Sequence, residues 1–417
     1  MLSAGGWVQS AQDGAVGKGG SAFPPRPFLV AGFQLLAIFW IGQGAFPSNG
    51  LSAIKIAVSL ILLCSICCFA LDVLVTRATP ISDKSSYFLL TMLMAWLTLT
   101  ILRGFSLDSE KLFTLVANPL LGGIVWLLPL GILIGRRPGS LQALMPTFRM
   151  HTVVGVLLAA WAIIDIRIIG NTDRFYFFQY SLFLLYAAPI VLLTGIGKPG
   201  DAPLYIFSLL MEAGAHLALS NRAPFALALV FLLAYIGLNG IRDYRFVGFR
   251  LAILALIALA ITFVFSEYFL QVLGNAWVQD TRTFLYKEMA DDFSGLDWLF
   301  GRGALGTYYS PYFRYVAEHG LVGDSPVRQV NEIGYLHIIL KAGIVGAVLY
   351  FLIFTRGARK ALALRNRFGV GVFLLLSIHL IELTVIGQAV FKPYRVVLWI
   401  LLGIVFTQSW QQSRGQK

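Results

Sequence analysis

Long apolar stretches separated by short polar connectors run along most of the chain. A helix that crosses a membrane needs about 20 mostly apolar residues in succession. Twelve stretches meet this requirement, and none alternates between apolar and polar positions as membrane β-strands do. We therefore predict membrane helices at 28–46, 51–75, 86–103, 112–134, 150–169, 179–196, 202–220, 223–240, 248–270, 334–355, 368–389 and 393–408.

One long polar segment interrupts this pattern between the ninth and tenth predicted helices. It covers residues 271–333, with nine predicted helices in 28–270 before it and three in 334–410 after it. A polar substrate is held more readily in such an aqueous loop than within the membrane. The predicted fold is therefore an all-α polytopic membrane protein with about 12 transmembrane helices and one large loop that carries the function.

The two ends of the chain are predicted to lie outside the membrane. Residues 1–27 are rich in Gly, Ser and Pro, and they lack the basic start, short apolar core and cleavage site of a signal peptide. Such a composition is typical of a disordered segment. Residues 411–417 form a short polar tail, and we place both ends in the cytoplasm.

Composition and charge support this arrangement. With 58% apolar and 12% charged residues, the chain is not an ordinary soluble domain. Basic residues cluster in alternate connectors, at 136–137, 242–250 and 356–367, and the positive-inside rule places those connectors in the cytoplasm. The net charge of +12 then needs no nucleic-acid partner. The loop 271–333 faces outward and carries eight acidic against five basic residues.

No metal or other cofactor is predicted. The cysteines Cys64, Cys67 and Cys68 all lie in the second predicted helix, where small apolar side chains are common. Two acid–histidine pairs lie within predicted helices, but neither has the further ligands of a zinc site. Structural hydrogen bonding and catalysis both remain open for these pairs, which are Glu212 with His216 and His379 with Glu382.

Several cations fall near the predicted outer ends of helices, where positive charge is normally depleted. Some of them are expected to snorkel to the membrane surface. Together they favour an anion held there, such as a lipid-linked diphosphate. These residues are Lys55, Arg103, Lys111, Arg167, Arg174, Arg222, Lys341, Lys392 and Arg395.

Three pieces of sequence carry candidate chemistry. Arg222 stands at the start of the eighth predicted helix, where the N-terminal amide groups favour an anion, although a snorkelling arginine would look the same. Arg282 precedes the segment Gly301-Arg302-Gly303-Ala304-Leu305-Gly306. That segment has the spacing of a dinucleotide-binding loop, but no βαβ unit surrounds it, so we interpret it as a tight turn.

Aromatic residues follow this turn. They include Tyr308, Tyr312 and Tyr315, with Arg314 among them. Such a run suits either sugar rings or a membrane-interface surface, and the composition does not separate the two.

Asn331 and Glu332 form the third piece, at the entrance of the tenth predicted helix. They precede Gly343-Ile344-Val345-Gly346, whose small residues allow close helix packing. Partial burial at this position would make Glu332 suitable as a general base.

In this order and at this spacing, the three pieces resemble the O-antigen polymerase and O-antigen ligase family. The matching signals are Ser220-Asn221-Arg222 before a Leu-rich helix, Arg282 followed by a helical run that ends in Gly-x-Gly, and a polar pair before Gly-x-x-Gly. They cover residues 220–346, and the rest of the chain agrees only in hydropathy and number of helices.

The resemblance implies metal-independent transfer of a glycan from an undecaprenyl diphosphate carrier. It matches Arg222 and Arg282 to two arginines that are held to be essential in the ligases. The essential ligase histidine falls at Glu332, so the usual His-Asn pair is absent, and this departure favours a polymerase. His319 is the only histidine in the loop, but its spacing differs from that of the family.

We therefore expect a polymerase of lipid-linked repeat units in the bacterial inner membrane, active on the periplasmic side. Arg222 and Arg282 would stabilise the leaving diphosphate, and Glu332 would accept the proton of the acceptor hydroxyl. Expected partners are the undecaprenyl-diphosphate-linked glycan, membrane lipids and a chain-length regulator protein, with no nucleic acid. Further substrate-binding candidates are Arg302, Arg314, Tyr308, Tyr312, His319, Asn331 and Tyr335.

Three alternatives stay open. A ligase would attach the glycan to lipid A core instead of to another repeat unit. A transporter of lipid-linked oligosaccharide would show internal repeats and broken helices in matching halves, and neither is evident in the sequence. A cell-wall glycosyltransferase of the shape, elongation and division type also has many helices and a large outer loop, but it fits the glycine motifs less well.

Overall fold

A computed structural model describes most of the chain. The described residues are 25–45, 53–79, 81, 83–108, 111–112, 114–115, 128–171, 177–178, 181–219, 221–239, 283–318, 326–384 and 395–415. The predicted helix at 248–270, most of the one at 112–134, and the residues Arg282 and His319 lie outside this part of the chain.

Helices make up nearly all of the described structure. In chain order they are α1 (Pro27–Ala45), α2 (Ala53–Val75), α3 (Lys84–Arg103), α4 (Gly131–Gly135), α5 (Ser140–Arg167), α6 (Ala187–Thr194), α7 (Ala202–Ala218), α8 (Arg222–Asn239), α9 (Thr283–Asp292), α10 (Gly295–Phe300), α11 (Pro311–Glu318), α12 (Gly334–Ala363), α13 (Arg367–Glu382) and α14 (Val396–Gly415). A 3₁₀ turn at Leu182–Tyr186 leads directly into α6, and another at Pro199–Asp201 leads into α7.

Five helices are long and apolar enough to cross a membrane, namely α1, α2, α3, α5 and α12. Apolar segments of 10–17 residues contribute further helices at Leu182–Thr194, α7, α8 and Val396–Thr407. Many large apolar side chains on these helices are exposed, as expected for surfaces that face lipid. The prediction of a helical membrane protein is confirmed at this level.

The ends of the helices follow local sequence signals. Asp83 caps α3 by accepting a hydrogen bond from the Ser85 backbone N–H, and Asn366 caps α13 by accepting one from Gly369. Gly139 takes the left-handed conformation, with φ 75°, immediately before α5. Since its cap lies so early, α5 begins well before the start predicted at residue 150.

Small residues let the helices pack closely. A β-carbon on Gly135 would overlap the backbone of Ile400 in α14, and one on Gly371 would overlap Leu193 in α6. Such contacts bring helix backbones together where lipid gives no hydrophobic drive for association. One large apolar core joins α1–α8 with α12–α14, and its buried aromatic residues include Trp40, Phe148, Phe354 and Trp399.

The described part of the loop forms a small folded body. It contains α9, α10 and α11 together with two short antiparallel strands, β1 (Tyr308–Tyr309) and β2 (Val327–Arg328). This strand pair is an addition to the all-helical prediction. The body has its own core, made of Leu285, Met289, Phe293, Tyr308, Ile333, Leu336 and Leu340. Because Leu336 and Leu340 belong to α12, the loop is packed onto a membrane helix.

Candidate functional site

The helix α12 is broken where the loop meets it. Gly343 has φ 69° and ψ −179°, which are not helical angles. A residue at these angles interrupts the hydrogen bonding of the preceding turn, so the carbonyls there need other partners. The sequence analysis foresaw no broken helix, and within the described residues Gly343 marks the one interruption of this kind.

The loop supplies the missing hydrogen bonds. The backbone N–H of Arg302 donates to the Leu340 carbonyl at 2.8 Å, and that of Gly303 donates to the Lys341 carbonyl at 3.0 Å. Trp96 of α3 completes the set by donating from its indole Nε1 to the Ala342 carbonyl at 2.7 Å. The break is therefore capped by two backbone groups of the loop and one membrane-helix side chain.

The Gly-x-Gly segment is the tight turn that the sequence predicted. Gly301 has φ 70° and Gly303 has φ 80°, a conformation that glycine adopts without steric cost. The same turn contacts the end of α3, where Arg103 donates to the carbonyls of Phe300, at 2.6 Å, and Gly301. The Gly-x-Gly and Gly-x-x-Gly motifs thus meet in one joint between the loop, α3 and α12.

An open depression lies beside this joint, and its volume is about 390 Å³. Arg103 and Lys111, two of the cations predicted near the outer ends of helices, border it, and Arg302 borders it from the loop. Lys341 is buried in α12 and donates from Nζ to the Gly306 carbonyl at 2.7 Å, so it fixes part of the backbone that borders the depression. The remaining bordering residues are Gly104, Ser106, Leu305, Gly306 and Thr307.

Arg302 is held by carboxylates. Its guanidinium contacts Asp292 and lies 3.0 Å from an oxygen of Asp297, and it also donates to the Thr307 carbonyl at 2.8 Å. Partial burial opposes ionisation of Asp297, but hydrogen bonds from Arg302 and Ser294 lower the pKa of that carboxyl below its usual value. The charge of Arg302 is therefore largely offset, and its predicted role as an anion-binding helper remains a prediction.

Glu332 stands in the bend just before α12. Its side chain is 47% exposed, and Oε1 lies 3.8 Å from a guanidinium nitrogen of Arg328. Glu332 is thus more open to solvent than the partial burial that the sequence analysis expected. An exposed carboxylate beside a cation can contact a hydroxyl group arriving from the aqueous side.

Arg328 is a residue that the sequence analysis did not single out. It lies in β2 opposite Tyr308, and its guanidinium carbon sits 3.6 Å from the centre of the Phe313 ring. No motif surrounds it, and it lies only four residues before Glu332 in the sequence.

The aromatic candidates divide into buried and open residues. Tyr308 is 1% exposed within the loop core, and this burial raises its pKa above the ordinary value. The position gives no support to sugar stacking by Tyr308. Tyr312 is 48% exposed, with its ring centre 4.5 Å from that of Phe284, and the Tyr335 hydroxyl is hydrogen-bonded to that of Tyr286.

Asn331 and Arg314 take contrasting positions. Asn331 is fully buried, accepts a hydrogen bond from the Ile333 N–H at 2.9 Å, and donates its own backbone N–H to Nδ1 of His337 at 3.0 Å. It shapes the bend that carries Glu332, and its burial leaves no room for direct substrate contact. Arg314 is exposed and paired with Glu318 at 2.8 Å.

The described residues do not test whether the two predicted catalytic arginines lie near Glu332. Arg222 is the first residue of α8, and its side chain lies outside the description, as do Arg282 and His319 entirely. Their roles stay predictions.

Both intramembrane acid–histidine pairs lie in buried surroundings. In α7, His216 Nε2 is 4.0 Å from Glu212.

In α13, Nδ1 of His379 is 3.5 Å from Glu382, whose carboxylate also binds Arg395. Nε2 of His379 is 2.7 Å from the Tyr350 hydroxyl. Arg395, expected near the outer surface, is buried instead. Across the described residues no group of three metal-binding side chains is found.

Comparison with known proteins adds no family assignment. No protein-family model matches the chain, and no curated protein sequence matches it significantly.

Proposed function

We propose that the protein polymerises oligosaccharide repeat units carried on undecaprenyl diphosphate, in the bacterial inner membrane. In this proposal the chain has about twelve membrane helices, the loop 271–333 faces the periplasm, and the reaction takes place at that face. The helical membrane body and the folded loop packed on α12 support it, together with the sequence resemblance described above.

One observation carries the proposal. Glu332 is an exposed carboxylate at the junction of the loop and α12, 3.8 Å from Arg328. The same loop exposes tyrosine rings, among them Tyr312 and Tyr315, and such rings suit stacking on sugars. This combination offers a proton acceptor and a carbohydrate surface at the edge of the membrane.

The proposed step is a displacement at the anomeric carbon of the donor. A hydroxyl oxygen of the acceptor sugar forms the new glycosidic bond, and its proton passes to Glu332. The bond between the anomeric carbon and the diphosphate oxygen breaks, so undecaprenyl diphosphate leaves with the bonding electrons. Arg222 and Arg282 would stabilise that charge, and each such donor is typically worth about 10²–10³ in rate.

The test is complementation of a strain that lacks the gene, followed by gel profiling of its surface glycans. Glu332→Gln keeps size and polarity but removes the base, so long chains should be lost while a single repeat unit remains, with a rate loss of about 10²–10⁴. Asp291→Asn, an exposed carboxylate in α9, is the matched control. Normal chains in the Glu332→Gln strain at equal protein levels would overturn the assignment.

A ligase would give a different profile. Loss of all repeats from the lipid A core, including the single one, would indicate transfer to that acceptor.

The break in α12 favours a second candidate, a transporter of lipid-linked oligosaccharide, because broken helices line many transport sites. Against this, the carbonyls at Gly343 are capped by the loop and by Trp96. The assay for transport places the purified protein in vesicles and follows a fluorescent lipid-linked saccharide across their membrane. Movement that Glu332→Gln leaves unchanged would establish transport.

A further inference from the structure

We propose that the depression between the end of α3 and the loop binds the phosphate group of a lipid embedded in the membrane. The sequence analysis favoured an anion near a set of cations that includes Arg103 and Lys111, and this proposal narrows the location to the depression that both residues border. Its volume of about 390 Å³ falls within the usual range for small-molecule pockets, about 300–1,000 Å³. The proposal concerns binding alone and does not depend on the chemistry proposed for Glu332.

The charges around the depression favour an anion. In the described part of the chain, neither Arg103 nor Lys111 forms an ion pair with a carboxylate. The charge of Arg302 is offset by Asp292 and Asp297. Among the described residues, Arg103 and Lys111 therefore border the cavity without an ion-paired carboxylate, and guanidinium and ammonium groups both bind phosphate oxygens well.

The depression is also fixed in shape. Arg103 is anchored by its bonds to the Phe300 and Gly301 carbonyls, so its charge is held at the rim without being neutralised. On the other side, Lys341 holds the Gly306 carbonyl at 2.7 Å. A preformed anion site loses less conformational entropy on binding than one that must be assembled.

The surroundings identify the phosphate carrier as a lipid. The helix α3 is one of the apparent membrane spans and ends at Arg103, so the depression lies at the level where that span ends. Residues next to Arg103 in the sequence are apolar although exposed: Leu102 is 61%, Phe105 54% and Leu107 89% exposed. A phosphate in the depression with an alkyl or isoprenoid tail along these side chains satisfies both surfaces.

The experiment measures ligand binding to the purified full-length protein in detergent, by native mass spectrometry. The probes are undecaprenyl phosphate, phosphatidylglycerol and inorganic phosphate. Lys111→Gln should weaken binding of a lipid phosphate about tenfold or more, because a charge-assisted hydrogen bond is lost. Arg103→Gln should do the same. Lys84→Gln, which changes an exposed lysine at the opposite end of α3, should leave binding unchanged.

Since Arg103 also supports the loop, Lys111→Gln is the deciding variant. Weaker binding of undecaprenyl phosphate or of phosphatidylglycerol in that variant supports the site, and the lipid that binds more tightly identifies the natural source. Inorganic phosphate that binds as tightly as either lipid would overturn the lipid assignment, and lipid binding unaffected by Lys111→Gln would overturn the site. Glu332→Gln should not change binding, so this result and the glycan profile fail independently.

Discussion

Gly301 of the loop and Gly343 of α12 face each other so closely that neither position has room for a β-carbon. One placed on Gly301 would lie 2.5 Å from the backbone nitrogen of Gly343, and one placed on Gly343 would overlap the backbone of Leu299 and Phe300. Both residues also have positive φ, 70° and 69°. The loop and the membrane body are therefore packed backbone against backbone at this pair of glycines.

Gly343→Ala is expected to destabilise the protein strongly. The backbone angles of Gly343, φ 69° and ψ −179°, lie in a region that is essentially restricted to glycine, and holding another residue there costs about 1–3 kcal/mol. The steric overlap adds to this. Thermal unfolding in detergent should show a clearly lower midpoint, and Gly301→Ala should behave alike.

The control is Gly295→Ala, because a β-carbon at that position meets no atom within 4 Å. It should unfold like the parent protein. Equal midpoints for Gly343→Ala and Gly295→Ala would show that the joint is not as tight as described.

Trp96→Phe tests the cap on the helix break. The change removes the indole N–H that donates to the Ala342 carbonyl at 2.7 Å but keeps an aromatic ring. A buried carbonyl without its donor costs about 1–3 kcal/mol, so the unfolding midpoint should fall. Trp161→Phe, in the exposed face of α5, should have little effect, and an equal loss in both variants would contradict the role given to Trp96.

Arg395 and Glu382 are expected to depend on each other. Replacing Arg395 by Met leaves the Glu382 carboxylate buried and without its bidentate partner, which typically costs about 3–5 kcal/mol. The double variant Arg395→Met, Glu382→Gln should recover much of that loss because the buried charge is gone. If the loss in free energy of unfolding in the double variant equals the sum of the losses in the two single variants, the coupling is ruled out.

Asp83 should give a defined acid sensitivity. Partial burial opposes its ionisation, but hydrogen bonds from Lys360 and Arg356 hold the pKa of this carboxyl well below its usual value. A depressed folded-state pKa contributes stability above the unfolded value of about 3.9, and that contribution is lost as the pH falls below it. The measurement is the thermal unfolding midpoint from pH 6 to pH 3, a range of about one to two units around the unfolded-state pKa. The midpoint should drop more steeply for the parent protein than for Asp83→Asn.

Hydropathy predicted the limits of some helices closely, because those limits depend on the helix's own residues. α1 and α3 begin and end within two residues of the predicted limits, since apolar length and local caps determine them. Contacts between distant segments were not predictable in this way. Gly301 and Gly343 were interpreted as a turn and a packing motif, and nothing in a single sequence links positions so far apart.

The polar candidates show the same division. Arg395 was grouped with cations at the surface because its partner, Glu382, belongs to a different helix. Asn331 was taken for a substrate contact, but its burial and its bonds to the bend arise from the tertiary structure. Arg328 was overlooked because it belongs to no motif, although it lies only four residues before Glu332. Its contact with the Phe313 ring is a tertiary contact that the sequence did not indicate.

The capped break in α12 has a consequence for how the protein is made. The carbonyls of Leu340, Lys341 and Ala342 cannot complete their hydrogen bonding while this span enters the bilayer alone, since their partners belong to the loop and to α3. Insertion of this span and folding of the loop must finish together. A chimaera that receives the loop from another protein without the matching half of the span would leave these carbonyls without partners in the bilayer, and it is expected to misfold.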